Sequence, residues 1–148
     1  MRPSAVRAYR TPATVRLVPT VLVVDDTESI RFLLRTNLEL AGFDVSEAVD
    51  GVECIEVLRA AADEGTLPDV VTVDVMMPRQ DGVATVQQIR ADPRLAGLGV
   101  VMVSTQNLPA DVQRGLQAGV DAYVTKPFDP DELVTVVREV AASGHVPG

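Results

Sequence analysis

Asp25 and Asp26 close the apolar run Val21-Leu22-Val23-Val24, and Asp74 closes Val70-Val71-Thr72-Val73. Ser104 and Thr105 follow Val100-Val101-Met102-Val103, and Lys126 follows Ala122-Tyr123-Val124-Thr125. Three carboxylates brought into one low-dielectric crevice repel each other strongly. A hard divalent cation resolves that repulsion, and oxygen-only ligation with no His or Cys nearby suits Mg²⁺ or Mn²⁺. A cation held this way favours a phosphoryl ligand, whose remaining charge calls for a positive group and a hydroxyl. Lys126 and Ser104 are of those types. Lys126 is the only lysine among 13 Lys+Arg, so positive charge elsewhere is left to arginine. A compact ammonium meets a phosphoryl oxygen as a point charge, where a planar guanidinium needs a wider site. Two adjacent acids at 25 and 26 exceed what capping a following helix needs, since Thr27 is available for that task.

The elements that must position these groups follow from periodicity. Val21-Leu22-Val23-Val24 reads as a strand buried on both faces. Residues 27–41 place Ile30, Leu33, Leu34, Leu38 and Ala41 on one helical stripe, stopped by Gly42. Residues 43–49 read as a strand, with Phe43 and Val45 on one side. Residues 51–62 carry Ile55, Leu58 and Ala62 at helical spacing, and the loop Asp63-Glu64-Gly65-Thr66 ends them. The strand 69–74 is followed by Asp81-Gly82 and a helix bearing Val83, Val86 and Ile89. The strand 100–104 precedes a helix with Val112 and Leu116. The strand 122–125 precedes a helix carrying Leu133, Val136, Val137 and Val140, capped by Asp129 or Asp131 and ended by Ser143-Gly144. The stripes Leu33/Leu34/Leu38 and Val136/Val137/Val140 are core. Strands alternating with helices predict an α/β domain: a five-stranded parallel sheet, doubly wound, flavodoxin-like, (βα)5. In such sheets the ligand site lies beyond the carboxyl ends of the strands.

Composition bounds the rest. The chain has 148 residues, 47% hydrophobic, with 21 acids against 13 bases and a net charge of −8. This length supports one domain with a full core and excludes disorder throughout. The acidic balance argues against a nucleic-acid surface. A single cysteine, Cys54, permits no internal disulfide and no Cys-rich metal site, which fits a reducing, cytoplasmic setting. No run approaches the ~20 apolar residues of a membrane span. Residues 1–19 hold Arg2, Arg7, Arg10 and Arg16 with no acid, and Pro3, Pro12 and Pro19 break any helix there. They read as a flexible extension, more weakly as a transit peptide. The domain is expected over 20–142, with a short tail at 143–148. Cys54 and His145 are expected to be inert.

Taken in order, these residues resemble the receiver domain of bacterial two-component response regulators, including the single-domain chemotaxis regulator. The matching pieces are Val23-Val24-Asp25-Asp26, Asp74-Val75-Met76-Met77-Pro78 with Asp81-Gly82, Met102-Val103-Ser104, residues 118–123 (Ala-Gly-Val-Asp-Ala-Tyr), and Lys126-Pro127-Phe128. The resemblance implies that Asp74 is the phosphoacceptor, taking its phosphoryl group from a histidine kinase or histidine phosphotransfer protein. It implies Mg²⁺ held by Asp26, Asp74 and the Met76 backbone carbonyl, with Asp25 acting nearby through water. Lys126 and Ser104 would bind the phosphoryl group, and Tyr123 would turn inward when Ser104 moves. The Lys126–Pro127 bond would be cis, and Met76, Thr105 and Gln106 would tune hydrolysis. The implied function is a stand-alone response regulator with an unknown protein effector, meeting it through the fourth helix, fifth strand and fifth helix. No direct nucleic-acid or membrane contact is expected. Such a domain is not an enzyme on a separate substrate, since it catalyses its own phosphorylation and dephosphorylation. Two alternatives are an interaction module that takes no phosphate and an aspartyl-nucleophile phosphohydrolase. The latter places its two acids two residues apart, whereas these are adjacent. The chain departs from the family pattern in a long stretch from Ala60 to Leu67 and in Gly99, where proline is usual.

Overall fold

The computed structural model describes residues 18–145. The expected extension lies outside them apart from residues 18 and 19. In chain order the elements are β1 (Thr20–Val24), α1 (Glu28–Leu40), β2 (Asp44–Ala48), α2 (Gly51–Glu64), β3 (Val70–Val73), α3 (Gly82–Ala91), β4 (Gly99–Ser104), α4 (Pro109–Ala118), β5 (Ala122–Thr125) and α5 (Pro130–Ser143). All strands are parallel, in the order β2-β1-β3-β4-β5. This is the predicted doubly wound fold.

The Val-rich runs form central strands because both of their faces are covered. Val21, Val23, Val70, Val101, Val103 and Val124 pack with Leu34 and Leu38 of α1 and Leu133 and Val137 of α5. Leu22, Val24, Val71, Val73, Val100 and Met102 pack on the other face with Ile55 and Leu58 of α2 and Val86 and Ile89 of α3. Thr72, fully buried in β3 between Val23 and Val101, breaks the apolar pattern; its hydroxyl is the one buried side-chain polar atom without a partner among the described residues. The connections from β1 run to β2 on one side and onward to β3 on the other. The topological switch point therefore lies between the ends of β1 and β3, where Asp25, Asp26 and Asp74 stand.

Several local expectations are corrected. Leu33 is exposed rather than core, and Leu116 of the fourth helix is exposed as well. The narrow buried stripe of α1 runs through Leu34 and Leu38, and α4 turns Gly115 and Ala118 inward. Helix α2 continues through Asp63 and Glu64, and Gly65 ends it in a left-handed conformation at φ 73°. Thr27 occupies the N-cap of α1 without a side-chain cap bond. Its N–H is instead taken by Asp25 Oδ1 at 2.9 Å. Asp129, not Asp131, caps α5. The chain stays attached past residue 142: the His145 N–H donates to the Gly97 carbonyl, and His145 Nδ1 lies 2.8 Å from Asp121 Oδ1. Gly99 has a steric reason, since a Cβ there would sit 2.6 Å from Val140 Cγ1 of α5. Cys54 is buried, and burial pushes its thiol up to about 12, far from the reactive thiolate. Among the described residues no helix is long and apolar enough to cross a membrane.

Candidate functional site

The apolar runs of β1, β3, β4 and β5 give way to polar residues at their carboxyl ends, which delivers those groups to one edge of the sheet. Asp25 follows β1 and is 1% exposed. Its Oδ2 lies 2.8 Å from Lys126 Nζ, whose chain leaves the end of β5. Asp74 follows β3, is also buried, and lies 3.3 Å from the same ammonium. Asp26 is exposed at the rim. Carboxylate oxygens from Asp25, Asp26 and Asp74 all fall within 4.8 Å of one another. Burial pushes the Asp74 carboxyl above the ordinary range; the Lys126 ammonium opposes that shift and the Asp25 charge adds to it. A carboxylate in this position is poorly solvated and has one cation to share with a neighbour. Three hard oxygen donors with small side-chain adjustments suit a divalent cation of the Mg²⁺ class.

The second half of the site is built on β4 and β5. The Lys126 N–H donates to the Ser104 carbonyl at 2.8 Å, and the Lys126–Pro127 peptide bond is cis. Ser104 is buried, and its Oγ accepts the Gln106 N–H at 3.1 Å. The Tyr123 hydroxyl donates to the Gln106 carbonyl at 2.5 Å, so Ser104 and Tyr123 hold the same residue from two sides. The Tyr123 ring rests against Gly115 and Met102, and burial pushes its phenol up. Met76, 61% exposed, and the exposed Thr105 flank Asp74 and Ser104 respectively. The structure thus gathers Asp25, Asp26, Asp74, Ser104 and Lys126 at the strand ends, with Tyr123 linked to Ser104 through Gln106.

Some contributors carried no clear signal in the sequence. Arg31 Nη1 donates to the Asp25 carbonyl at 2.7 Å while its Nε bonds Glu47, pinning the turn after β1. Arg35, and then Arg31, hold the Glu47 carboxyl below its usual range. Gly82 lies so close to the backbone of Asp74 that a Cβ would sit 2.2 Å from the Asp74 carbonyl oxygen. The Asp81-Gly82 pair was visible in the sequence, but that close approach was not.

Comparison with known proteins agrees with this geometry. The family model of the response regulator receiver domain matches residues 21–138. The chain is 37% identical over 121 residues to the DNA-binding dual master transcriptional regulator RpaA of Synechocystis, covering 82% of this chain and 48% of that one. The chain thus spans about half the length of the curated relatives it matches. Among solved structures, a chemotaxis response regulator of Vibrio cholerae superposes with a TM-score of 0.75 at 31% identity, covering 83% of this chain and 98% of that one. The receiver domain of a Pseudomonas aeruginosa sensor histidine kinase, solved with a magnesium ion in its active-site cleft, gives 0.73 at 25% identity, covering 85% and 99%.

Proposed function

The chain belongs to the response regulator receiver family, and from that premise we propose that it is a phosphoacceptor switch whose acceptor is Asp74. The observation that carries this reading is the convergence of Asp25, Asp26, Asp74 and Lys126 on one crevice at the topological switch point. An Asp74 carboxylate oxygen attacks phosphorus; the bond to the donor's histidine nitrogen breaks, and that nitrogen keeps the electron pair. A carboxylate is a weak nucleophile, but phosphoryl transfer rewards positioning and charge neutralisation above all. Asp25, Asp26, Asp74 and the Met76 carbonyl would hold Mg²⁺, which supplies neutralisation of charge on the phosphoryl oxygens. Lys126 Nζ is already within 3.3 Å of Asp74 and offers a second positive contact. Ser104 holds a hydroxyl for a phosphoryl oxygen, and giving up its bond from the Gln106 N–H would release the loop that Tyr123 also holds.

The chain would catalyse its own phosphorylation and hydrolysis and turn over no separate substrate. Its phosphoryl donor would be a histidine kinase or a histidine phosphotransfer protein. Its output would be a change in a protein-binding face built from α4, β5 and α5. The solved chain of the Vibrio cholerae chemotaxis protein matches almost end to end, as does the receiver domain of the Pseudomonas aeruginosa sensor kinase. The transcriptional relatives instead extend well past the matched part.

The test is incubation with Mg²⁺ and a small acyl phosphate, followed by intact mass measurement of wild type and Asp74→Ala. Wild type gains one phosphoryl group and the variant gains none. A stable wild type that binds Mg²⁺ yet takes no phosphoryl group from acyl phosphate or any histidine donor points to an interaction module. Steady turnover of a phosphate monoester points to a hydrolase.

A further inference from the structure

We propose that Arg79 is a positioning residue for the Asp74 site, acting through a forked bridge to Asp50 that locks the loop between β3 and α3. The inference rests on the reading of Asp74 as a metal-assisted phosphoacceptor and adds the device that shapes its loop. Arg79 is the only non-glycine residue with positive φ among the described residues, at 64°. The Gln80 N–H donates to the Pro78 carbonyl at 2.6 Å, closing a three-residue turn with Arg79 at its centre. That form of turn is rare and strained, and a residue with a Cβ persists in it only when its surroundings over-determine it.

Here the surroundings do so. Arg79 Nε donates to Asp50 Oδ2 at 2.7 Å and Nη2 to Oδ1 at 3.0 Å, the two-pronged geometry that a lysine cannot make. Asp50 is itself fixed: it is buried, and its Oδ1 also accepts the Glu53 N–H to cap α2. The Arg79 hydrogen bond is the largest cause holding the Asp50 carboxyl below its usual range. An exposed ion pair is normally weak. This one joins a strained loop to a buried, doubly used carboxylate.

The neighbouring glycines show how closely the loop is seated. A Cβ on Gly51 would fall 2.8 Å from the Gln80 carbonyl oxygen, so the start of α2 lies directly against the loop. At the far end, the Gly82 N–H donates to the Val75 carbonyl at 2.9 Å, folding the loop back on the residue after Asp74. Met76, Met77 and Pro78 span the interval between these two anchors. The Met76 carbonyl, assigned to the cation by family resemblance, belongs to that interval. Arg79 therefore sets the freedom of a ligand it does not touch.

Two variants separate positioning from folding. Arg79→Gly removes the fork and relieves the turn, since glycine accepts positive φ. Asp50→Asn keeps a competent helix cap but loses the charge. Mg²⁺ affinity, metal-free melting temperature, and hydrogen exchange of the Met76–Gln80 amides are measured for wild type, both single variants and the double variant. Each single variant is expected to bind Mg²⁺ about tenfold more weakly, the low end for groups that orient metal ligands from behind. Exchange in the loop should quicken without Mg²⁺, melting should stay within a few degrees, and the double variant should lose no more than either single. Unchanged Mg²⁺ affinity and exchange in Arg79→Gly, beside a wild type that binds Mg²⁺ and takes a phosphoryl group, overturns the positioning role. Losses that add in the double variant overturn the Arg79–Asp50 route. A wild type that neither binds Mg²⁺ nor takes a phosphoryl group overturns the underlying reading instead.

Discussion

Helix propensity and local packing disagree about Gly115, and their disagreement tests how Tyr123 is seated. Alanine in a helix interior is favoured over glycine by about 1 kcal/mol, so propensity alone predicts that Gly115→Ala stabilises. The structure argues otherwise. A Cβ at 115 would lie 3.1 Å from Tyr123 Cδ2, 3.2 Å from Cε2 and 3.2 Å from Met102 Sδ. Carbon contacts are optimal at about 3.5–4.0 Å, so each approach is several tenths of an ångström short. Met102 is fully buried and cannot retreat, whereas Tyr123 is half-buried on an edge strand. The ring must yield, and it can do so only by straining or breaking its 2.5 Å bond to the Gln106 carbonyl. Overpacking of this kind costs about 1–3 kcal/mol. Net of propensity, Gly115→Ala should lie between neutral and about 2 kcal/mol destabilised. In a Tyr123→Ala background the ring is gone and the space it leaves lets Met102 Sδ shift aside, so most of the gain of about 1 kcal/mol should return. Urea unfolding of the four proteins in this cycle gives the coupling between the two positions, expected at about 1–3 kcal/mol. A coupling below about 0.5 kcal/mol, with Gly115→Ala simply more stable, would refute the seat.

Three further outcomes follow from the same contacts. Removing the ammonium with Lys126→Ala leaves Asp25 and Asp74 facing each other uncompensated, and should cost about 3–5 kcal/mol in metal-free protein at pH 8, partly restored by Mg²⁺; a thermal melt with and without the cation checks it. The raised Asp74 carboxyl favours the folded state at low pH, a contribution complete below its unfolded value of about 3.9 and lost as pH rises through the folded value. Mg²⁺ competes with that proton, so its affinity should fall about tenfold per unit below the folded value, read by titration calorimetry across pH. Thr72→Val removes the partnerless buried hydroxyl and should stabilise by about 1–2 kcal/mol in urea unfolding, with no change in Mg²⁺ affinity.

The central strands β1, β3 and β4 were legible because each apolar run is covered on both faces and stops at a polar residue, so composition alone marks where the backbone leaves the sheet. Once the strands alternate with helices, parallel topology sends those polar residues to one edge, and Asp25, Asp74 and Lys126 meet without any pairwise signal between them. Helix faces were less legible. Leu33 and Leu34 are both apolar and adjacent, and only the roll of α1 against the sheet buries one and exposes the other. Leu116 is exposed for a related reason: α4 lies so close to Tyr123 and Met102 that its inward position takes Gly115, and the leucine turns out. The Arg79–Asp50 fork was beyond reach, because the partners are 29 residues apart on different loops and neither lies on a periodic element.

What the geometry adds to the motif is competition for a single ammonium. Lys126 Nζ sits 2.8 Å from Asp25 and 3.3 Å from Asp74, so Asp25 holds the shorter contact at rest. Any negative charge added at Asp74 strengthens the longer contact at the expense of the shorter one. Asp25 would then need another cation, because its other oxygen is already committed to the Thr27 N–H and its environment is closed to water. Phosphorylation and Mg²⁺ retention would then be coupled partly through Asp25, beyond the attraction of the ion to the phosphoryl oxygens themselves. Asp25→Asn should therefore shrink the gain in Mg²⁺ affinity on phosphorylation to that direct part, while wild type gains more. Equal gains in the two proteins would show that the ammonium is not the shared resource.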